Sequence, residues 1–461
     1  MKLDVARLES FIMEKMSKTR IPGLSIAVVE KDQVVYSKGF GYRDVENGLR
    51  ATPATLYGIG SVTKSFTALA IMRLVEQGKL SLDDPVHKYL PQFEIRPFGE
   101  PIRIVHLLSH SSGIPALAYA EALIDRIVGN EPAWSPIVGC DDVIAFMRRA
   151  GKWVEARPGE KFFYLNEGYV LLGCVVEKVS GMSYEDFVKR EILEPLEMRR
   201  SFFKKEEVEK DPDVAAPYAV DKEGRWVRSR FPYGVTADGG LISNVLDLSN
   251  YISMYLGRGV FKGREVFSRS SIEEVEKPRI KLPYEVFGGE SYALGWRVVP
   301  NFLGYRLVNH GGSVLVYTAY VGYVPEAGVG VAVLQNVAAY PPSYIGMYAL
   351  ALALGKDPER ELPFIKMDRV FDRLVGVYET YMGTMKLEVV RRGDTLYIER
   401  RGRLSQMSIP LILEELDEEN PRFSVQSGTA RIPVEFRIRD GSVEMIYERY
   451  KLRKVGGLPP R

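Results

Sequence analysis

The sequence predicts an α/β domain, an antiparallel sheet flanked by helices with a helical subdomain inserted into it, followed by a small all-β domain, an antiparallel barrel. Three observations predict it. Arms rich in β-branched residues stand near both ends of residues 1–355, helical periodicity fills the stretch between them, and short alternating strands take over afterwards. At 461 residues the chain is long enough for two or three domains, each able to bury a core.

The first arms are Leu24 to Val29 and Val34 to Phe40, which read as a hairpin turning at Lys31 and Asp32. Far downstream Tyr317 to Val324 and Val329 to Leu334 repeat the pattern around a turn at Pro325 to Gly328, and Tyr344 to Leu354 reads as an apolar helix. One sheet can therefore draw strands from both ends of the domain. Between them Val62 to Gln77, Ile102 to Leu108, Asp142 to Ala150, Glu167 to Val179 and Tyr184 to Ile192 show three- and four-residue apolar spacing. These form the inserted subdomain, and the junction it makes with the sheet is a favoured place for a site.

Residues 356–368 carry charge and two prolines, Pro358 and Pro363, and read as a linker. In 369–461, Met385, Leu387 and Val389 alternate with polar residues, as do Leu396 and Ile398, then Ile432, Val434, Phe436 and Ile438, then Val443, Met445 and Tyr447. Tight turns separate them. This is the pattern of a small barrel or sandwich.

Composition narrows the function. The chain is 46% hydrophobic and 26% charged, and its 62 basic and 60 acidic residues leave a net charge of +2. No long run of one sign exists to track a phosphate backbone or an anionic bilayer, so nucleic acid and membrane are unexpected partners. Asp4, Glu9 and Glu14 break up the N-terminus, which leaves no signal-peptide pattern and a cytoplasmic expectation. The two cysteines, Cys140 and Cys174, show neither metal nor redox spacing, and give a disulfide or zinc site little support. Asn and Gln are sparse beside Lys, Arg and Glu, a balance that fits a thermophile.

The chemistry begins at Ser61-Val62-Thr63-Lys64, which follows Gly60 and opens the first long helix. A spacing of three places the hydroxyl and the amine on one helix face. The helix N-terminus favours a developing alkoxide there, and burial favours a neutral amine able to take the serine proton. Ser-x-x-Lys alone is weak, since roughly two are expected by chance in a chain of this size. Ser201 to Lys204 is a second match without a glycine-rich entry, and the plain alternative for Ser61 is an N-cap serine with a solvated lysine.

Further along, Tyr164-Leu165-Asn166 sets a phenol and an amide on one side of an extended segment. A phenol beside an ammonium can be held as phenolate and serve as base and then acid, while the amide can bond both Lys64 and a substrate. A core tyrosine and a turn asparagine are the bland reading. Asn309-His310-Gly311-Gly312-Ser313 precedes a strand; its glycines let a substrate lie along the edge, and the Ser313 amide can join that of Ser61 in holding an oxyanion. His310 can orient Tyr164, polarise the substrate, or simply be satisfied at a strand end. His87, His106 and His110 offer no HExxH spacing, so a metal is disfavoured and no cofactor is called for.

Taken in this order the three segments resemble the serine β-lactamase and penicillin-binding-protein superfamily, in particular its CubicO-group peptidases and esterases. Leu107 to Pro115, Ala237-Asp238-Gly239-Gly240-Leu241 and Pro195-Leu196-Glu197-Met198 add to the resemblance, which covers about residues 5–355. It implies an acylated Ser61, an acid and base pair in Lys64 and Tyr164, supporting roles for Asn166 and His310, and substrate contacts at Gly60, Gly311, Gly312 and Ser313. Where relatives carry a Lys-Thr-Gly box this chain has His310-Gly311-Gly312, a departure that points away from D-Ala carboxypeptidase and β-lactamase activity. The tail is similar to the lipocalin-like domain of archaeal, self-compartmentalising CubicO-group proteases that favour D-amino-acid peptides, which implies a homo-oligomer and a small peptide substrate. An esterase with the same machinery, or an inactive ligand-binding homologue, are the rival expectations.

Overall fold

In the computed structural model, which describes residues 3–129, 139–231, 233–234, 236–402 and 406–458, the β-branched runs at the two ends of the first 356 residues pair with one another. Strands β1 (Gly23–Glu30) and β2 (Gln33–Asp44) form the early hairpin, with Lys31 in the left-handed region at φ 58°. Strands β3 (Arg297–Phe302), β4 (Tyr305–Ser313), β5 (Thr318–Val324) and β6 (Val329–Gln335) follow as an antiparallel meander. β6 pairs antiparallel with β1, Ala332 opposite Ala27, which gives the order β3-β4-β5-β6-β1-β2 within a nine-stranded sheet.

Every residue of β5 and β6 is buried, because both faces are covered. Neighbouring residues of a strand point to opposite faces. A Cβ on Gly330 would touch Ile252, whereas Val331 lies against Gly346. Two later helices, Val245–Leu256 and Pro342–Ala353, therefore lie on opposite sides of the sheet.

Helix α1 (Val5–Thr19) falls where the sequence showed only scattered acids. Its apolar stripe is interrupted in sequence but continuous on a helical wheel: Leu8, Phe11, Ile12 and the stem of Lys15 are buried. Asp4 caps its start through the Arg7 amide. The inserted subdomain centres on α2 (Thr63–Glu76), buried at every position from Thr63 to Met72. A helix apolar on all sides belongs inside. After it come α3 (Tyr119–Val128), α4 (Cys140–Met147) and α5 (Asn166–Ser180), the last buried from Glu167 to Val176. The helix expected over Tyr184 to Ile192 is α-helical to Val188 and continues as a π turn over Lys189–Leu193.

One expectation is overturned. Cys140 and Cys174 form a disulfide between α4 and α5, with Cα atoms 5.8 Å apart. Their separation of 34 residues carries no distance information until the two helices pack.

The second compact unit, Asp357–Arg461, begins with helices Pro358–Glu361 and Pro363–Leu374 in and beyond the stretch read as a linker. Each opens with proline, which suits the first turn of a helix. Eight strands from Gly376–Glu379 to Tyr450–Gly456 then close an antiparallel barrel in sequence order. Leu387, Val389, Leu396, Ile398, Val434, Phe436, Ile438 and Met445 fill it, the alternation the sequence displays. No described helix is long and apolar enough to cross a membrane.

Candidate active site

The site forms where α2 begins beneath the end of β4. Gly60 opens a 3-10 turn, Gly60–Val62, that runs into α2, and its φ of +52° suits a residue without Cβ. A Cβ there would stand 2.6 Å from the Ser313 nitrogen, and one on Gly312 would stand 1.9 Å from the Ile59 carbonyl and 3.1 Å from the Ser61 nitrogen. The glycines thus permit a close approach of the β4 main chain to that of Ile59 to Ser61, which brings the Ser61 and Ser313 nitrogens near one another. Gly311 and Ser313 are exposed and Gly312 half-buried, so this edge of β4 is open to a ligand.

Lys64 is fully buried one helical turn beyond Ser61. Its Nζ donates to Ser61 Oγ at 3.0 Å, Asn166 Oδ1 at 2.8 Å and the Asp238 carbonyl at 2.6 Å. Three acceptors use all three N–H donors of an ammonium group. The same nitrogen lies 4.9 Å from the centre of the half-buried Tyr164 ring and 5.5 Å from that of Tyr169. Ser61, Lys64, Tyr164 and Asn166 are therefore brought together, with Gly60, Gly312 and Ser313 beside them. Asn166 is the first residue of α5, so the extended Tyr164-Leu165 pair hands it directly to a helix start.

His310 is placed differently. It is buried, its Nδ1–H donates to the Gly311 carbonyl at 2.6 Å, and its Nε2 accepts from the Tyr292 hydroxyl at 2.9 Å. Its ring centre is 6.4 Å from that of Tyr164, and both ring nitrogens are taken by other groups. Burial, with the Arg297 and Lys64 charges, holds it well below the usual histidine range and so neutral.

A family model described as Beta-lactamase matches residues 8–356. The chain belongs to the β-lactamase family. A second model, the Pab87 octamerisation domain, matches residues 358–453. The octameric penicillin-binding protein homologue from Pyrococcus abyssi is 55% identical, covering 98% of this chain and 100% of that one with a TM-score of 0.94. The penicillin-binding protein from Bacillus halodurans, 21% identical over 77% of this chain and 99% of that one with a TM-score of 0.59, shares the fold. Penicillin-binding protein 4* of Bacillus subtilis (strain 168) is 25% identical over 92% of each chain. Protein flp of Staphylococcus aureus (strain MW2) is 29% identical over 72% of this chain, which spans 63% of that protein's length.

Around the β-lactamase-family centre stand groups to which the sequence assigns no part: Glu121 stands in no motif, and Asp238 and His110 are noted only within motifs. Glu121, on α3, accepts from Asn166 Nδ2 at 3.2 Å, which orients the amide so that its oxygen faces Lys64. No sequence spacing links these two residues. Asp238 lies in a motif that marks the family, yet its part here is played by a backbone carbonyl. Its buried carboxyl and that of Glu167 are both raised, burial being the main cause in each, with Lys64 opposing at Asp238. His110 accepts from the Leu165 amide at 3.0 Å and packs 4.1 Å from the Tyr164 ring, centre to centre, so a residue noted in the sequence only within the Leu107 to Pro115 motif and for lacking HExxH spacing holds the tyrosine segment. Among the described residues no group of His, Cys, Asp and Glu could hold a metal ion.

Proposed function

We propose that this chain is a serine peptidase that hydrolyses small peptides through an acyl-enzyme on Ser61. The observation that carries the reading is the buried Lys64 side chain, whose Nζ is within hydrogen-bond distance of both the Ser61 hydroxyl and the Asn166 amide oxygen beneath an open strand edge. Ser61 Oγ attacks the carbonyl carbon, and the Lys64–Tyr164 pair takes its proton. The Ser61 and Ser313 amides hold the oxyanion. The same pair returns the proton to the leaving nitrogen, and water then releases the acyl group. Asn166 and Glu121 fix the geometry, and His310 stiffens the strand edge through Gly311 rather than moving a proton. The superfamily consists of serine hydrolases, which supports the reaction class.

Homo-oligomerisation is supported by the octamerisation-domain match over 358–453 and by the octameric relative. Tolerance for D-residues rests on sequence resemblance, and a cytoplasmic setting on the pattern read around Asp4, Glu9 and Glu14. A disulfide in such a setting suits the intracellular proteins of hyperthermophiles.

The test is covalent labelling with a fluorophosphonate and with a β-lactam, read by peptide mass mapping, followed by turnover of matched L- and D-peptides, esters and lactams. An adduct on Ser61 with peptide turnover is the expected result. A folded protein labelled elsewhere, or not at all, overturns the reading; ester turnover without peptide turnover replaces it by the esterase.

A further inference from the structure

A second concavity lies near the segment that leads to Ser61. A cleft of 610 Å³ is lined by Arg126, Arg230, Phe231, Tyr233 and Tyr317, among others, and by none of the residues assigned above to the chemistry. Two of its aromatic residues nevertheless pack beside Gly58, three residues before Ser61. A Cβ on Gly58, on the strand leading to Ser61, would lie 3.3 Å from Tyr317 and 3.7 Å from Phe231. Tyr317 ends the turn that follows Ser313, and Phe231 precedes Asp238, whose carbonyl holds Lys64. Arg126 sits on α3, the helix whose Glu121 holds Asn166.

The charges in this cleft do not cancel. Arg228 is matched by Asp44 at 3.1 Å and Glu46 at 3.2 Å, and Lys205 by Glu209 at 3.5 Å. The guanidinium groups of Arg126 and Arg230 have no hydrogen-bond or ion-pair partner among the described residues. Ser229 Oγ donates to the Val128 carbonyl at 2.9 Å, which ties the Arg230 arm to the end of α3. Beside the two cations Phe231 stacks on Tyr233 with ring centres 4.5 Å apart and meets Tyr317 at 5.0 Å. Unmatched guanidiniums favour a planar anion, and the aromatic wall favours an apolar body attached to it.

We propose that this cleft is a specificity pocket for a carboxylate of the substrate, bound by Arg126 and Arg230, with the adjoining part of the substrate against Phe231, Tyr233 and Tyr317. The proposal rests on the peptidase reading, because peptides supply carboxylates and no other common anion. The source is the chain's C-terminal carboxylate or an acidic side chain.

The experiment compares kcat/KM of the full-length protein for three peptides of one sequence: a free C-terminal acid, its C-terminal amide, and the amide with a glutamate added. The expected result is a preference of about tenfold for one or both carboxylate peptides, mostly in KM, as a pair of charge-assisted contacts gives. Which peptide gains identifies the source. The preference should collapse in Arg126→Ala/Arg230→Ala, turn toward a lysine-bearing peptide in Arg126→Glu/Arg230→Glu, and shrink as salt rises from about 0.05 to about 0.5 M. Equal rates for all three peptides, or a preference that survives both arginine substitutions, overturns the proposal. Calorimetric binding to the Ser61→Ala chain separates this failure from that of the peptidase reading. Acidic-peptide binding that weakens about tenfold on losing the arginines supports the pocket even if no peptide is turned over, and binding indifferent to them overturns it.

Discussion

Lys64 and Asn166 stand 102 residues apart in the chain, yet the Nζ of one lies 2.8 Å from the Oδ1 of the other. Because Lys64 is wholly buried, each of its three acceptors offsets part of the cost of keeping its polar amino group out of water. Asn166→Ala removes one of them. Stability should fall by about 1–3 kcal/mol, and acylation by at least about a hundredfold. Denaturant melts and pre-steady-state labelling measure the two. Acylation unchanged in Asn166→Ala would show that Asn166 does not position the lysine.

Ser61→Ala should abolish acylation and lower hydrolysis by at least about three orders of magnitude with the fold intact, since a nucleophile is lost without a core atom. Tyr164→Phe should be nearly as damaging, because the proton relay acts as a unit. Intact-mass measurement and circular dichroism on the same samples decide the matter.

Gly312→Ala tests the close approach of β4 to the main chain of Ile59 and Ser61. A Cβ at this position meets the Ile59 carbonyl at 1.9 Å, and backbone cannot step aside as a flexible side chain can. The strand must retreat, separating the Ser61 and Ser313 amides. Loss of one aligned oxyanion donor costs about a hundred- to a thousandfold in kcat. A KM-against-kcat split reads it, with the loss expected in kcat.

His110 and His310 are both held well below the usual histidine range, chiefly by burial. Between their folded values and about 6.5 the unfolded chain binds protons that the folded chain refuses. Stability therefore drops as pH falls below about 6.5, by up to about 1.4 kcal/mol per pH unit for each histidine, and is restored above it. Glu167 and Asp238 act with the opposite sign: their raised carboxyls contribute stability in acid that is lost as pH rises through their folded values. His110→Asn, whose amide oxygen can still accept from the Leu165 amide, should flatten the fall in melting temperature between about pH 7 and about pH 5. A fall as steep as in the unsubstituted chain would assign the acid sensitivity elsewhere.

The Cys140–Cys174 bridge closes a loop of sequence separation 34. Loop-closure entropy for that length is worth about 3–4 kcal/mol. Reduction, or Cys140→Ser with Cys174→Ser, should lower the melting temperature by several degrees and expose two thiols to a colorimetric reagent. Two reactive thiols in the denatured, unreduced protein would show that the bridge does not form.

The sequence by itself determined what depends on local order. Ser61 and Lys64 are one helical turn apart, so their meeting at 3.0 Å needs only α2 to form. The alternation Leu387, Val389 and Val434, Phe436, Ile438 fixes which residues of the barrel point inward, since side chains on a strand alternate faces whatever surrounds it. Tertiary structure decided the rest. Glu121 reaches Asn166, and Cys140 reaches Cys174, only because α3 and α4 are laid beside α5. His310, adjacent in sequence to the glycines of the strand edge, bonds Tyr292 and the Gly311 carbonyl instead of Tyr164 because its strand buries it there. The physical reason is the same in each case: a spacing of three or two residues sets a distance through the geometry of one element, whereas contacts between elements are set by how buried faces pack, and no residue type announces which distant partner it will meet.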